Sequence, residues 1–165
     1  MAKNKSPYNS KYTQGKFNPQ NPKKYMGDPT NIIFRSSLEY SFCVFLDKNK
    51  NIKKWGSEII VIHYRDLQGN SHKYFTDFYY ELIIDNDSNN FKRVIVEVKP
   101  ERELYPPTRP KNETAKSLEN YEYAVRTHVK NKLKWQAAFE YAKKRKMEFV
   151  IITEKRLQKE GIIKS

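Results

Sequence analysis

The segment that most limits how this chain can fold is Val94-Ile95-Val96-Glu97-Val98-Lys99-Pro100, an apolar run broken by one acid. Its β-branched residues predict a strand. Alternation puts Ile95, Glu97 and Lys99 on one face and Val94, Val96 and Val98 on the other. A carboxylate in the middle of such a run is costly to desolvate unless something compensates its charge. A second strand-like stretch, Tyr74-Phe75-Thr76-Asp77-Phe78, carries another acid. If the two strands are neighbours in a meander, Asp77 and Glu97 come within reach of one ion.

A divalent cation is the natural compensation. Mg²⁺ takes carboxylate oxygens and retains several waters, and Mn²⁺ is its usual substitute. Such an ion supplies an acidified water as a nucleophile for phosphorus. Lys99, a compact charge on the same face, can orient that water or offset charge growing on the phosphorane. As a pattern, Asp followed by Glu-x-Lys is weak, and a solvated edge strand would also show it.

Composition bears on the partner. The 165 residues, one domain by size, hold 32 Lys and Arg against 19 Asp and Glu, a net charge of +13. That excess suits a polyanion such as DNA, and no apolar run approaches membrane-spanning length. Residues 1–24 lack the apolar core of a signal peptide. The single cysteine, Cys43, excludes an internal disulfide and fits a reducing compartment.

Residues 1–30 are polar and lysine-rich, including Lys23 and Lys24, and read as a basic arm ahead of a domain spanning 31–165. The arm is either a solubilising tail or a segment that follows a DNA backbone, with Tyr8, Tyr12 and Tyr25 for stacking. A helix is predicted from about Ser36 to Lys48, with Leu38, Phe42, Phe45 and Leu46 on one stripe. Ser36 and Glu39 have capping-box spacing, so Glu39 is either a cap or a carboxylate aimed at the ion site.

The chain from Trp55 to Tyr64 and from Ser71 to Ile84 predicts an antiparallel hairpin turning at Gly69, with His63 and His72 near its tip. Two histidines alone make no zinc centre, and solvent or phosphate contacts suit them better. Glu58, at the strand start, is either a salt-bridge partner or an extra site carboxylate. Asp85 to Asn90 is a polar turn. Pro100 closes the Glu97 strand, and the loop beyond carries Arg102 and Arg109, as a DNA-contacting flap or a plain connector. Two helical segments, 113–129 and 133–145, lead to a strand at Met147–Thr153 as a β-α-β return, then a short helix ending near Gly161. Lys132 and Lys134 belong to the basic face of the second helix and are candidate phosphate contacts.

In this order, a helix with Glu39, a hairpin, Asp77, Glu97-Val98-Lys99, a helix and a strand resemble the PD-(D/E)xK nuclease superfamily over residues 35–154. The hairpin with Gly69 and His72, Phe75-Thr76-Asp77-Phe78, the Val-Glu-Val-Lys strand and Lys134-Trp135-Gln136-Ala137-Ala138 through Thr153-Glu154 look like the TnsA-type endonuclease core. The whole chain, its Lys/Asn-rich leader included, resembles the T4-like phage head completion nucleases.

The resemblance implies an α/β fold with a restriction-endonuclease-like core, a mixed central sheet flanked by helices. It makes Asp77 and Glu97, with Glu39, the metal-binding acids and Lys99 the catalytic lysine, and adds Gln136 as a polar neighbour of the site. Thr76 stands where the motif's name has proline. It further implies Mg²⁺-dependent cleavage of DNA, phage head or portal proteins as partners, and a place in the host cytoplasm during assembly or in the virion. A double-strand break by one site per chain would most simply use a homodimer. The rival expectation is a non-catalytic DNA-binding or structural protein that plugs the filled head.

Overall fold

A computed structural model describes residues 14–164. A short antiparallel pair, β1 (Gly15–Phe17) and β2 (Ile32–Phe34), precedes α1 (Ser37–Lys48). Then come β3 (Ile52–Ser57), β4 (Val61–Arg65), β5 (Ser71–Phe75), β6 (Phe78–Ile84) and β7 (Asp87–Val98), followed by α2 (Ala115–Lys144), β8 (Glu148–Ile152) and α3 (Glu154–Lys159). The central sheet runs β3-β6-β7-β8. Its first three strands are antiparallel, and β8 joins β7 in parallel after the α2 crossover. This is the mixed, helix-flanked α/β sheet expected from the sequence.

Side-chain alternation along β7 sorts the two layers. Val94, Val96 and Val98 face a core built with Phe42, Cys43 and Leu46 of α1, with Ile32, Trp55 and Leu157 closing it. Ile95 faces the opposite way, toward Ala142 of α2. The small residues Ala138 and Ala142, both buried, let α2 lie close against this second face. Glu97 shares the α2 side by the same alternation.

The hairpin is not one continuous ladder. Residues 58–60 interrupt the outgoing arm and 76–77 the return, so the outgoing arm carries one more residue, a β-bulge. Glu58 takes a left-handed conformation there (φ 54°), and its amide donates to the Asp77 carbonyl at 3.2 Å. The bulge splits β4-β5 from the main sheet as a separate two-stranded ribbon. Glu58 therefore ends a strand rather than starting one. At the ribbon tip Gly69 has φ 88°, as the turn requires. The other turn is tighter than the sequence implies: Asp85 and Asn86, both with positive φ, make the whole reversal, and β7 begins at Asp87.

Two expectations change. The predicted pair of helices is a single 30-residue helix, because Lys130-Asn131-Lys132 contains no breaker and Asn131 is buried. The basic arm is not separate from the core over the described residues. Phe17 is buried, and Tyr25 packs edge-on against Trp55 at 4.8 Å between centroids and hydrogen bonds to Ser57 Oγ at 2.8 Å. Tyr25 is thus engaged within the fold. Residues 1–13, including Tyr8 and Tyr12, lie outside the described residues. Among those described, no helix is long and apolar enough to cross a membrane.

Candidate active site

β6 and β7 pair Phe78 with Val96, so continuing the register by one step sets Asp77 opposite Glu97. Asp77 lies in the interruption beside the bulge, outside the ladder, and its side chain turns to the partner strand: the Val98 amide donates to Asp77 Oδ2 at 2.7 Å. Thr76 is buried, and its amide donates to the Ile60 carbonyl at 3.1 Å. A proline at that position would lack the donor.

Glu97 is only 3% exposed. The Tyr74 hydroxyl donates to its Oε2, and Lys99 Nζ lies 3.1 Å from its Oε1. Burial would lower the Lys99 ammonium, but the charges of Glu97 and Asp77 outweigh it and hold the group above its ordinary value. Asp77 behaves oppositely. Loss of water around its recessed carboxyl pushes it well above the usual carboxylate range; the neighbouring Glu97 adds to this and the Val98 hydrogen bond only partly opposes it. Two acids share one small volume, and the Asp77 carboxyl feels both Glu97 and the lysine.

Glu39 sits at the first turn of α1 in a variant of the capping box: its amide donates to Ser36 Oγ at 3.1 Å, and its Oε2 accepts from the amide of Arg35, one residue before the cap, at 2.8 Å. It is also close enough to Asp77 to raise that carboxyl and to feel Lys99, while its own burial raises it. Cap and site flank coincide in one residue. Glu58 points elsewhere, pairing with the Arg35 guanidinium on the surface. Its contribution to the site is the backbone bond that holds Asp77.

Gln136 is exposed in a surface groove with His63, Arg65 and Ser71. Lys134 of α2 reaches this side of the sheet, its Nζ 5.2 Å from the centroid of the Tyr74 ring that bonds Glu97; burial lowers its ammonium, and the charges of Glu97 and Asp77 act on it. Tyr74 is the functional neighbour that sequence reasoning missed; its only signal was a buried-face aromatic with a polar tip three residues before Asp77. His72 belongs to the ribbon turn, bonding Asp66 at 2.8 Å and stacking on Tyr64.

The candidate phosphate contacts fare unequally. Lys23, Arg102 and Lys132 are exposed, and Arg109 is exposed but paired with Glu113 at 2.6 Å. Lys24 is reassigned. Its Nζ donates to the carbonyls of Leu46, Asp47 and Asn49 at 2.8–3.0 Å, capping the C-terminal end of α1. An ammonium with three donors so engaged has none left for a phosphate.

Among the described residues no group of three or more His, Cys, Asp or Glu side chains is disposed to hold a metal. The hydrogen bonds explain why: Glu39 is turned to its cap, and both Glu97 oxygens have protein partners. What remains is a two-carboxylate donor set, Asp77 with Glu97, of the size that suits a hard cation keeping most of its water.

The TnsA-like endonuclease N-terminal family matches residues 49–154. The chain is also 37% identical over 148 residues to the head completion nuclease of Enterobacteria phage T4, an alignment covering 89% of this chain and 95% of that protein. Both matches span the bulge, Asp77, Glu97 and Lys99, so the chain belongs to the TnsA-like endonuclease family within the PD-(D/E)xK superfamily and is a homologue of a phage head completion nuclease.

Proposed function

We propose that this chain is a Mg²⁺-dependent DNA endonuclease that hydrolyses phosphodiester bonds, acting during phage head completion on the ends of packaged DNA. The observation that carries this reading is the buried confrontation of Asp77 and Glu97 at adjacent strand positions, with Lys99 3.1 Å from Glu97. Asp77 and Glu97 would hold the ion, with Glu39 flanking it. A bound Mg²⁺, or Mn²⁺ in its place, would acidify an attacking water and neutralise charge at phosphorus.

The chain's own residues do the rest. The Val98 amide fixes the orientation of Asp77, and Tyr74 fixes that of Glu97. Lys99, kept protonated by the two acids, offers a donor to the attacking water or to the phosphorane oxygens. The net charge of +13 supports DNA as the polyanion, and exposed Lys23, Arg102 and Lys132 are its proposed backbone contacts. Head or portal proteins are the proposed assembly partners, in the host cytoplasm or the virion, and a homodimer is the simplest route to a double-strand break.

The second reading is a non-catalytic DNA-binding plug of the filled head, favoured by the protein partners already on Glu97 and Glu39. Nicking of supercoiled plasmid separates the two. The nuclease requires relaxed product with Mg²⁺, none with EDTA, and none from Asp77→Ala. Equal nicking by wild type and Asp77→Ala would refute the assignment; no nicking by wild type under Mg²⁺ would favour the plug.

A further inference from the structure

Lys134 reaches the site from the helix that covers the carboxylate-bearing face of the sheet. It is half-buried, and its Nζ lies 5.2 Å from the centroid of the Tyr74 ring. The hydroxyl of that ring donates to Glu97, so one phenol separates the ammonium from a proposed metal-binding carboxylate. Lys99 and Lys134 differ in their engagements. Lys99 is ion-paired with Glu97, whereas among the described residues no carboxylate or carbonyl closes on Lys134 Nζ. A half-buried ammonium with only an aromatic face beneath it keeps its donors for an oxygen that the protein does not supply.

The bland explanation is a lysine stem lying across a tyrosine with its head in water. Position argues for more. Lys132 is exposed, whereas Lys134, two residues on and roughly on the opposite side of the helix, faces the site and stands over the one aromatic ring joined to Glu97. The divalent cation would offset the two acids, but the lysine beside them, Lys99, is already paired with Glu97, so an incoming phosphodiester oxygen still needs a donor that is not engaged. A second ammonium on a fixed shelf meets that need.

We propose that Lys134 is a second catalytic ammonium, holding a non-bridging oxygen of the reacting phosphodiester while the Tyr74 ring serves as the shelf that positions it. This rests on the nuclease reading and specifies which α2 side chain touches the reacting group. It also accounts for the place of Tyr74, which would orient Glu97 with its hydroxyl and Lys134 with its ring.

The test compares wild type with Lys134→Met, which keeps an apolar stem on Tyr74 but removes the charge, and with Lys134→Arg. Single-turnover cleavage of a duplex at saturating enzyme is read beside metal-free duplex affinity. Lys134→Met is expected to slow the saturated rate about 100-fold while changing the Kd by no more than about threefold, or roughly 0.7 kcal/mol. Lys134→Arg should recover part of the rate. A saturated rate equal to wild type, or a loss confined to Kd, would overturn the proposal and make Lys134 an ordinary backbone contact.

A second readout does not need activity. In metal-free protein with ¹³C-methylated lysines, the Lys134 resonance, identified through Lys134→Arg, should shift on adding a short duplex; no shift would also overturn the proposal. If wild type fails to cleave with Mg²⁺, the nuclease reading fails first and takes this inference with it. If wild type cleaves and Lys134→Met cleaves equally, only this inference fails.

Discussion

The Val98 amide donates to Asp77 Oδ2 at 2.7 Å, so the aspartate is anchored to the strand that carries Glu97 rather than to its own. A one-residue bulge makes this possible by releasing Asp77 from the ladder. The tie fixes the two carboxylates as a unit. It also holds two negative charges together at a cost to the fold.

That cost is measurable. The Asp77 carboxyl is raised in the folded state, first by burial and then by Glu97. A raised carboxyl favours the fold below its unfolded value of about 3.9, and this contribution is lost as pH rises through the folded value. Metal-free Asp77→Asn protein should therefore melt higher than wild type near neutral pH, with the difference closing toward pH 4. Thermal melts across that range check it. A lower Tm for the variant at neutral pH would contradict burial and Glu97 as the origin of the shift.

Divalent cations should relieve the same repulsion. Mg²⁺ is expected to raise the Tm of wild type in a dose-dependent way, by about 2.7 kcal/mol of stability at 100 times its Kd. Asp77→Asn should lose most of this response, and EDTA should reverse it. Differential scanning calorimetry with a Mg²⁺ series reads both.

Tyr74→Phe tests the support of Glu97. The ring stays, so core packing and the shelf under Lys134 are kept, but the hydroxyl bonded to the carboxylate is gone. Groups that orient a metal ligand commonly matter by about 10–100-fold in metal affinity or activity. The Mg²⁺ concentration giving half-maximal cleavage, or the maximal rate, should change by at least the lower figure. Unchanged Mg²⁺ dependence and rate would remove Tyr74 from the site.

Lys24→Met should weaken the fold rather than DNA binding. Three carbonyls at the end of α1 lose a charged donor, worth about 1–3 kcal/mol in all after solvent replaces part of it. Urea unfolding measures the loss. A drop in DNA affinity at unchanged stability would instead return Lys24 to the set of phosphate contacts.

What the sequence disclosed, and what it hid, follows from the range of each interaction. The two faces of β7 were legible because alternation along Val94–Val98 is local and the layers obey it. Ser36 and Glu39 were legible as a capping box for the same reason. The bulge was not, since its left-handed residue is Glu58, with no glycine or proline to mark it. Lys24 and Tyr25 looked like surface arm residues because their partners lie 22 to 32 positions away, beyond any periodic pattern. Helix α2 was divided in two because its apolar spacing weakens at Lys130–Lys132, although Asn131 is buried and the backbone continues. Gln136 and Lys134 were both named from α2, but which of them turns toward the carboxylates depends on the packing of Ala138 and Ala142 against the sheet.

The convergence of Asp77 and Glu97 on one ion is tested most directly by anomalous scattering from crystals soaked in Mn²⁺. The expected result is one strong peak at about 2.0–2.2 Å from an oxygen of each carboxylate, with no peak there in Asp77→Asn crystals. A peak coordinated by neither residue, or none at a saturating Mn²⁺ concentration, would contradict the two-carboxylate site.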